Sequence, residues 1–280
     1  MKKSEMKERE VWEEKEYREL EFTDDFLFCK IMQNNPDLCC ELVEVILGKK
    51  VRLCKAPEKQ KQIEITSDGK GVRFDIYLED EDETVYDIEM QTTIGRNLAK
   101  RSRYYQGMID LNLIERGEDY KNLKKSYVIF ICLDDVFQRG RHIYTFTNRC
   151  EQCDDLYLGD DTWKIFLCAH GTADDVSPKM KSFLNYLVDH QAEDSFTKKL
   201  EQEVDRARNA KEWRLEYMTL QMRDQEKWEQ GLEQGLEQRH IETLQELHIS
   251  KADAIVRVMQ KFDYDQEEAT EKVDKYWKFL

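Results

Sequence analysis

Apolar and polar residues alternate with period two over Arg73–Leu78 and again over Val85–Gln91, on either side of an acidic run at Glu79–Glu83. Alternation of this period marks strands, and two strands joined so closely make an antiparallel hairpin. Successive strand side chains point to opposite faces. Phe74, Ile76, Leu78, Tyr86, Ile88 and Met90 therefore share a predicted core face, and Arg73, Asp75, Tyr77, Asp87, Glu89 and Gln91 share the other. A turn centred near Asp82 sets Asp75 opposite Glu89, with their Cβ atoms about 5 Å apart. Like charges so placed cost stability, so the pair raises the question of a compensating cation.

The remaining pattern supplies a platform for this hairpin. Ser126–Leu133, SYVIFICL, is nearly continuous in apolar residues and rich in β-branching, which predicts a central strand buried on both faces. Ile143–Thr147 and Trp163–Leu167 add two strands, and Gln62–Ile65 predicts an edge strand ahead of a Ser67-Asp68-Gly69 turn. Thr23 caps a first predicted helix through Asp25, Phe26, Phe28 and Ile31. Asn35 and Pro36 open a second, ended by Gly48, whose Leu38, Leu42, Val45 and Ile46 recur at core spacing. A third runs from Gly95 or Arg96 to about Glu115 and is closed by Gly117, with Leu98, Ser102, Tyr105 and Ile109 as its buried stripe.

From Ser177 onward the spacing is helical. Met180–Val188 is one amphipathic stretch, and Phe196–Met222 predicts a single long charged helix. Trp228 then leads into a GLEQ-GLEQ repeat from Gly231. A GxxxG spacing packs helices in apolar membrane segments, but among Glu and Gln it reads as a soluble helix or hinge. Ser250–Leu280 predicts a small helical tail, with Ala254, Val258 and Phe262 on one face and Val273, Tyr276 and Trp277 on another. The implied organisation is a charged helical arm (1–22), an α/β core (23–190), a long charged helix with the repeat (191–248) and a tail (249–280), the tail more in keeping with an interaction element than with a stable domain.

The 280 residues leave room for one α/β domain of roughly 200 residues plus an appendage. A net charge of −15 argues against extensive non-specific coating of a duplex, though not against a local basic groove. No apolar run approaches the ~18 residues needed to span a membrane. The opening MKKSEMKERE has no apolar core behind it, so it does not read as a secretory signal. The eight cysteines include an adjacent pair, Cys39-Cys40, of poor disulfide geometry on a helix, which points to a reducing cytoplasm. Cys150-x-x-Cys153 has metal-ligand spacing, with His142 and His170 as conceivable partners for zinc; without a second such pair, free thiols in a loop are the simpler reading.

Two stretches carry candidate chemistry. The polar hairpin face is either solvated surface or a holder for a hard divalent cation, with Asp75 and Glu89 as ligands; oxygen donors suit Mg²⁺. Gln91 projects from the same face and could orient a water or a phosphate oxygen. Arg96, Lys100 and Arg103 fall at i, i+4 and i+7 on the third helix, with Arg101 and Tyr104 beside them. They form either an ordinary charged helix face or a phosphate-steering one.

With Asp75, Glu89-x-Gln91 and Asp25 in place, the chain resembles the PD-(D/E)XK nuclease superfamily, and within it the Rpn family of recombination-promoting nucleases, also labelled transposases. The resemblance runs from TDDFLFCKIM (Thr23–Met32) through GVRFDIYLED, YDIEMQ, KRSRYYQGMIDLNLIERGEDYKNL, SYVIFICLDDVF and YTFTNRC, and the GLEQ-type repeat also suits it. About four-fifths of the chain is covered. The resemblance implies an α/β, restriction-endonuclease-like mixed β-sheet core flanked by helices, with a helical C-terminal extension. It implies that Asp75 and Glu89 hold the metal, that Gln91 stands where the wider superfamily has lysine, and that Asp25 is an auxiliary acid near the metal. Arg103 and Tyr104 become candidates for phosphate contact. The implied activity is Mg²⁺-dependent hydrolysis of DNA phosphodiesters, with Mn²⁺ as a substitute, in recombination or against foreign DNA. Two other readings stand beside it: a catalytically silent relative that binds nucleic acid or protein, and a helical interaction protein that self-associates through its C-terminal helices.

Overall fold

A computed structural model describes residues 16–52, 58–59, 62–63, 72–93 and 97–277. Helices α1 (Asp25–Asn34) and α2 (Pro36–Leu47) come first, followed by the short strands β1 (Glu58–Lys59), β2 (Gln62–Ile63) and β3 (Val72–Arg73). The hairpin β4 (Ile76–Glu79) and β5 (Val85–Gln91) leads into α3 (Leu98–Leu113), and β6 (Ser126–Cys132), β7 (Ile143–Phe146) and β8 (Thr162–Cys168) complete the strands. Helices α4 (Pro178–Asp189), α5 (Ser195–Asn209), α6 (Lys211–Glu246), α7 (Lys251–Phe262) and α8 (Gln266–Tyr276) follow.

The main sheet runs in the order β1-β4-β5-β6-β8-β7. Its centre, β5-β6-β8, is parallel, and its flanks are antiparallel. A strand with parallel neighbours on both sides needs helices over both faces, which is why β6 reads as an unbroken apolar run and is buried at every position. On one face α3 covers a cluster of Phe74, Tyr77, Val85, Val128, Phe130 and Phe166. Alternation leaves Ile129, Ile131, Ile165 and Leu167 facing the other way, and they too are buried. Helix α1 packs on β4 and, with α2, α4 and α5, forms a second helical layer.

Several expectations change here. The polar hairpin face is not solvated: Tyr77, Asp87 and Glu89 are buried together with their neighbours, because α3 folds back over them. Phe74 does not share the face of Ile76, because the chain bends at Asp75 and delivers Phe74 to the α3 cluster beside Tyr77, 5.7 Å between ring centroids. Of the expected exposed arm at 1–22, residues 1–15 lie outside the described ones, and residues 16–22 are packed against the core. Tyr17, Leu20 and Phe22 are buried, the Tyr17 hydroxyl donates to the Ala207 carbonyl at 2.5 Å, and Arg208 Nε donates to the Leu20 carbonyl at 2.7 Å. Phe22 meets Phe28 and Tyr186 edge-on or tilted at 5.6 and 6.2 Å, locking the segment between α1 and α4.

The α1 cap position is Asp24, whose Oδ2 accepts from the Glu21 amide, while Thr23 is buried. Helix α2 has the expected bounds, with Pro36 at its start and Gly48 at φ +65 past its end. The outer strand next to β4 is β1; Gln62–Ile63 pairs instead with β3 in a separate ribbon, and residues 64–65 lie outside the described ones. The long helix after Phe196 is two helices, interrupted at Ala210.

The chain divides into two compact units between Lys211 and Glu212. The second unit has a core of its own, in which Ile241 and Leu244 of α6 meet Ala254 and Val258 of α7 and Ala269 and Val273 of α8. Ser250 and Asp265 cap α7 and α8 with side-chain acceptors. Glu237 is fully buried in this unit and is neutralised by Lys272 at 2.8 Å and by the Tyr264 hydroxyl. The GLEQ repeat lies within α6, and no described helix is long and apolar enough to cross a membrane. Cys29, Cys39, Cys40, Cys132, Cys150, Cys153 and Cys168 are free thiols.

Candidate metal centre

The hairpin register pairs Ile76 with Ile88, which sets Asp75 across from Glu89 as the alternation predicts. The bend at Asp75 replaces strand pairing with side-chain bonds to the main chain. The Asp75 amide donates to Glu89 Oε1 at 3.0 Å, and the Met90 amide donates to Asp75 Oδ2 at 3.2 Å. Each carboxylate is thereby fixed by the strand that carries the other. Glu89 is fully buried and Asp75 is 9% exposed.

Two acids this close and this dry resist ionising together. Burial, then the charges of Glu89 and Asp25, push the Asp75 pKa up to about 9. Burial also raises Glu89, opposed by Arg101. Arg101 reaches down from α3. Its terminal nitrogens donate to Glu89 Oε2 and, at 2.9 Å, to Gln91 Oε1, and its Nε donates to the Tyr105 hydroxyl at 2.9 Å. The guanidinium also lies 4.9 Å from the Tyr105 ring centroid and 5.2 Å from that of Phe130. Arg101 is the compensating cation that the carboxylate pair requires.

A third acid, Asp87, completes the buried set. No N–H or O–H among the described residues reaches either of its oxygens. Burial and the neighbouring Glu89 push its pKa well above the ordinary carboxyl range.

Asp25 stands at the mouth, exposed, with Arg73 at 3.7 Å and the Cys29 thiol donating to its Oδ1 at 3.7 Å. The ligand atoms of Asp25, Cys29 and Asp75 all lie within 4.8 Å of one another. Burial and these acids push the Cys29 thiol far above its usual range, and a soft thiol is a poor match for a hard divalent cation. What remains is hard carboxylate oxygen, crowded against its own repulsion, and that donor chemistry fits Mg²⁺ or Mn²⁺.

The other predicted residues are placed as follows. Gln91 sits at the end of β5 with its Oε1 on Arg101 and its Nε2 donating to the Thr93 carbonyl at 2.9 Å. Lys100 and Arg103 are exposed on α3 and Tyr104 is 42% exposed. At roughly 100° per residue Arg103 projects almost opposite to Arg101, so these two do not converge. Arg96 lies outside the described residues. The zinc reading gains nothing: His142 is held by the Cys168 carbonyl and Lys181, His170 by Asp134, and Cys150 and Cys153 gather no third ligand among the described residues.

Sequence reasoning set aside two residues that the structure brings forward. Arg101 was a neighbour of the basic stripe, yet it stands four residues before Tyr105, on the buried side of α3, which is the signal that could have found it. Asp87 shares its strand face with Glu89 and was treated as surface.

An α/β sheet presenting a carboxylate pair from one hairpin, with an acid from a preceding helix, is compatible with a nuclease-like domain. Residues 22–154 match the model of the PD-(D/E)XK nuclease family transposases, which supports a nuclease of this kind. Comparison with curated proteins and with solved structures returns no match.

Proposed function

We propose that the protein is a metal-dependent DNA endonuclease. The observation that carries this reading is the Asp75–Glu89 pair, held edge to edge by reciprocal main-chain bonds in a chain that matches a nuclease family. A divalent cation bound by Asp75 and Glu89, with Asp25 as an auxiliary ligand, would supply Lewis acidity and a hydroxide at neutral pH.

The chain's own residues do the rest. The two amides fix the carboxylate directions, so the ligands need little rearrangement. Asp87, buried beside Glu89, keeps that side of the site dry. Gln91 is a neutral amide whose donor is engaged with Thr93, which leaves it an orienting group without a charge to offer. Water adds to phosphorus, and the bond from phosphorus to the leaving sugar oxygen breaks. Lys100, Arg103 and Tyr104 are exposed on α3, and we assign them, with Arg96 from the sequence pattern, to phosphates flanking the cut. We assign the activity to DNA in recombination or against foreign DNA, in the cytoplasm, with self-association through the C-terminal helices.

The test is cleavage of supercoiled plasmid with Mg²⁺, Mn²⁺, Ca²⁺ or EDTA, beside Asp75→Ala and Glu89→Ala. Nicking with Mg²⁺ or Mn²⁺ that is lost in EDTA and in both variants is expected. A folded parent that cuts under no metal sinks the enzyme reading in favour of a silent DNA- or protein-binding domain.

A further inference from the structure

The site gathers four acids, Asp25, Asp75, Asp87 and Glu89, and very little positive charge. A phosphodiester entering it brings a further negative charge, which grows on the non-bridging oxygens as water adds to phosphorus. Gln91 cannot answer that charge, since its Oε1 is an acceptor and its Nε2 is spent on Thr93. Arg73 is turned to Asp25.

Arg101 is different. Three of the five guanidinium N–H groups are used, on Tyr105, Gln91 and Glu89, which leaves two among the described contacts. The side chain is 36% exposed although its partner Glu89 is fully buried, so Arg101 reaches a buried carboxylate while staying open to solvent. The rings of Tyr105 and Phe130 hold it in place. A planar fork with free N–H groups suits phosphate oxygens, and one already positioned loses little entropy on meeting them.

We propose that Arg101 is the catalytic cation of this site, contacting a non-bridging oxygen of the scissile phosphate from α3 and supplying the positive charge that the β5 strand lacks. This rests on the nuclease reading above. Without substrate, the same guanidinium serves as counter-ion to Glu89.

The experiment uses the full chain, with Arg101→Met, which keeps the packing on Tyr105 and Phe130, and with the double variant Gln91→Lys/Arg101→Met. Plasmid cleavage is followed with Mg²⁺, and affinity for a short duplex is followed by anisotropy with Ca²⁺. Arg101→Met is expected to cleave roughly 10²–10³-fold more slowly, the scale of losing one charge-stabilising donor. It is expected to bind the duplex several-fold more weakly. Free guanidinium ion, or lysine at 91, is expected to restore part of the cleavage, which a merely structural arginine would not allow.

Parental cleavage by a folded Arg101→Met overturns the proposal. If that variant does not fold, the double variant decides, since it returns a cation beside Glu89: restored cleavage supports the proposal, and a folded but inert double variant overturns it. If the parent itself cuts under no metal, the nuclease reading fails separately, and Arg101 is judged on the duplex alone. Unchanged affinity in Arg101→Met then overturns it.

Discussion

The amide of Asp75 donates to Glu89 Oε1 at 3.0 Å, so the backbone of one acid fixes the side chain of the other. This geometry forces the carboxylates together and sets a pH dependence. Folded Asp75 keeps its proton up to about pH 9, whereas an unfolded aspartate releases it near pH ~3.9. Between those values the folded state binds more protons, so stability falls as pH rises. In EDTA the melting temperature is expected to drop from about pH 5 to about pH 9, and Mg²⁺ is expected to reduce the drop. Asp75→Asn should flatten the metal-free profile. A melting temperature that rises over this range in EDTA would contradict the assignment.

Asp87 is fully buried, and burial raises its pKa, which favours the uncharged form. Asp87→Asn keeps the size without a titrating group, and a loss below about 1 kcal/mol is expected in urea titrations. Asp87→Ala, which empties the position, should cost more, on the order of 2 kcal/mol. Equal losses for the two would mean that Asp87 is ionised in the folded protein.

Phe22 lies outside regular secondary structure yet is 1% exposed among Phe28, Phe183 and Tyr186. Truncation there opens a cavity in the helical layer behind the sheet. Phe22→Ala is expected to destabilise the first unit by roughly 3–5 kcal/mol, read from chemical denaturation. A loss under about 1 kcal/mol would return residues 16–22 to the status of a loose arm.

Lys272 neutralises Glu237, which has no exposure of its own. Removing one partner of a buried pair leaves a charge without compensation. Lys272→Met is expected to cost the second unit about 3 kcal/mol, somewhat relieved by the Tyr264 hydroxyl. Cleavage by the first unit should be unaffected, and its loss would link the two units functionally.

Much of the site-bearing fold was legible in the residues. The hairpin register follows from two period-two runs around an acidic turn, and β6 from an apolar run bounded by polar residues. Illegible parts have physical reasons. Strands β1 to β3 are two residues each, too short to show a period. Tyr17, Leu20 and Phe22 are isolated among charges, and the helices α4 and α5 that help to cover them lie far along the chain. The interruption at Ala210 carries neither glycine nor proline. Burial of Asp87 and Glu89 is tertiary, since alternation assigns residues to a face without saying what covers it. Arg101 escaped for the same reason, as its partners lie ten and twelve residues back on another element.

The Tyr17 hydroxyl and its acceptor at Ala207 are 190 residues apart in the chain. At a synthesis rate of roughly 5–20 residues per second, the start of the domain waits on the order of ten to forty seconds for the helix that covers it. The hairpin bearing Asp75 and Glu89 is made early in that interval, while α1, with Asp25, still lacks the α5 surface it packs on. On the ribosome the residues of the carboxylate pair are therefore made well before the helix that α1 packs on, and the full site waits for α5 to emerge.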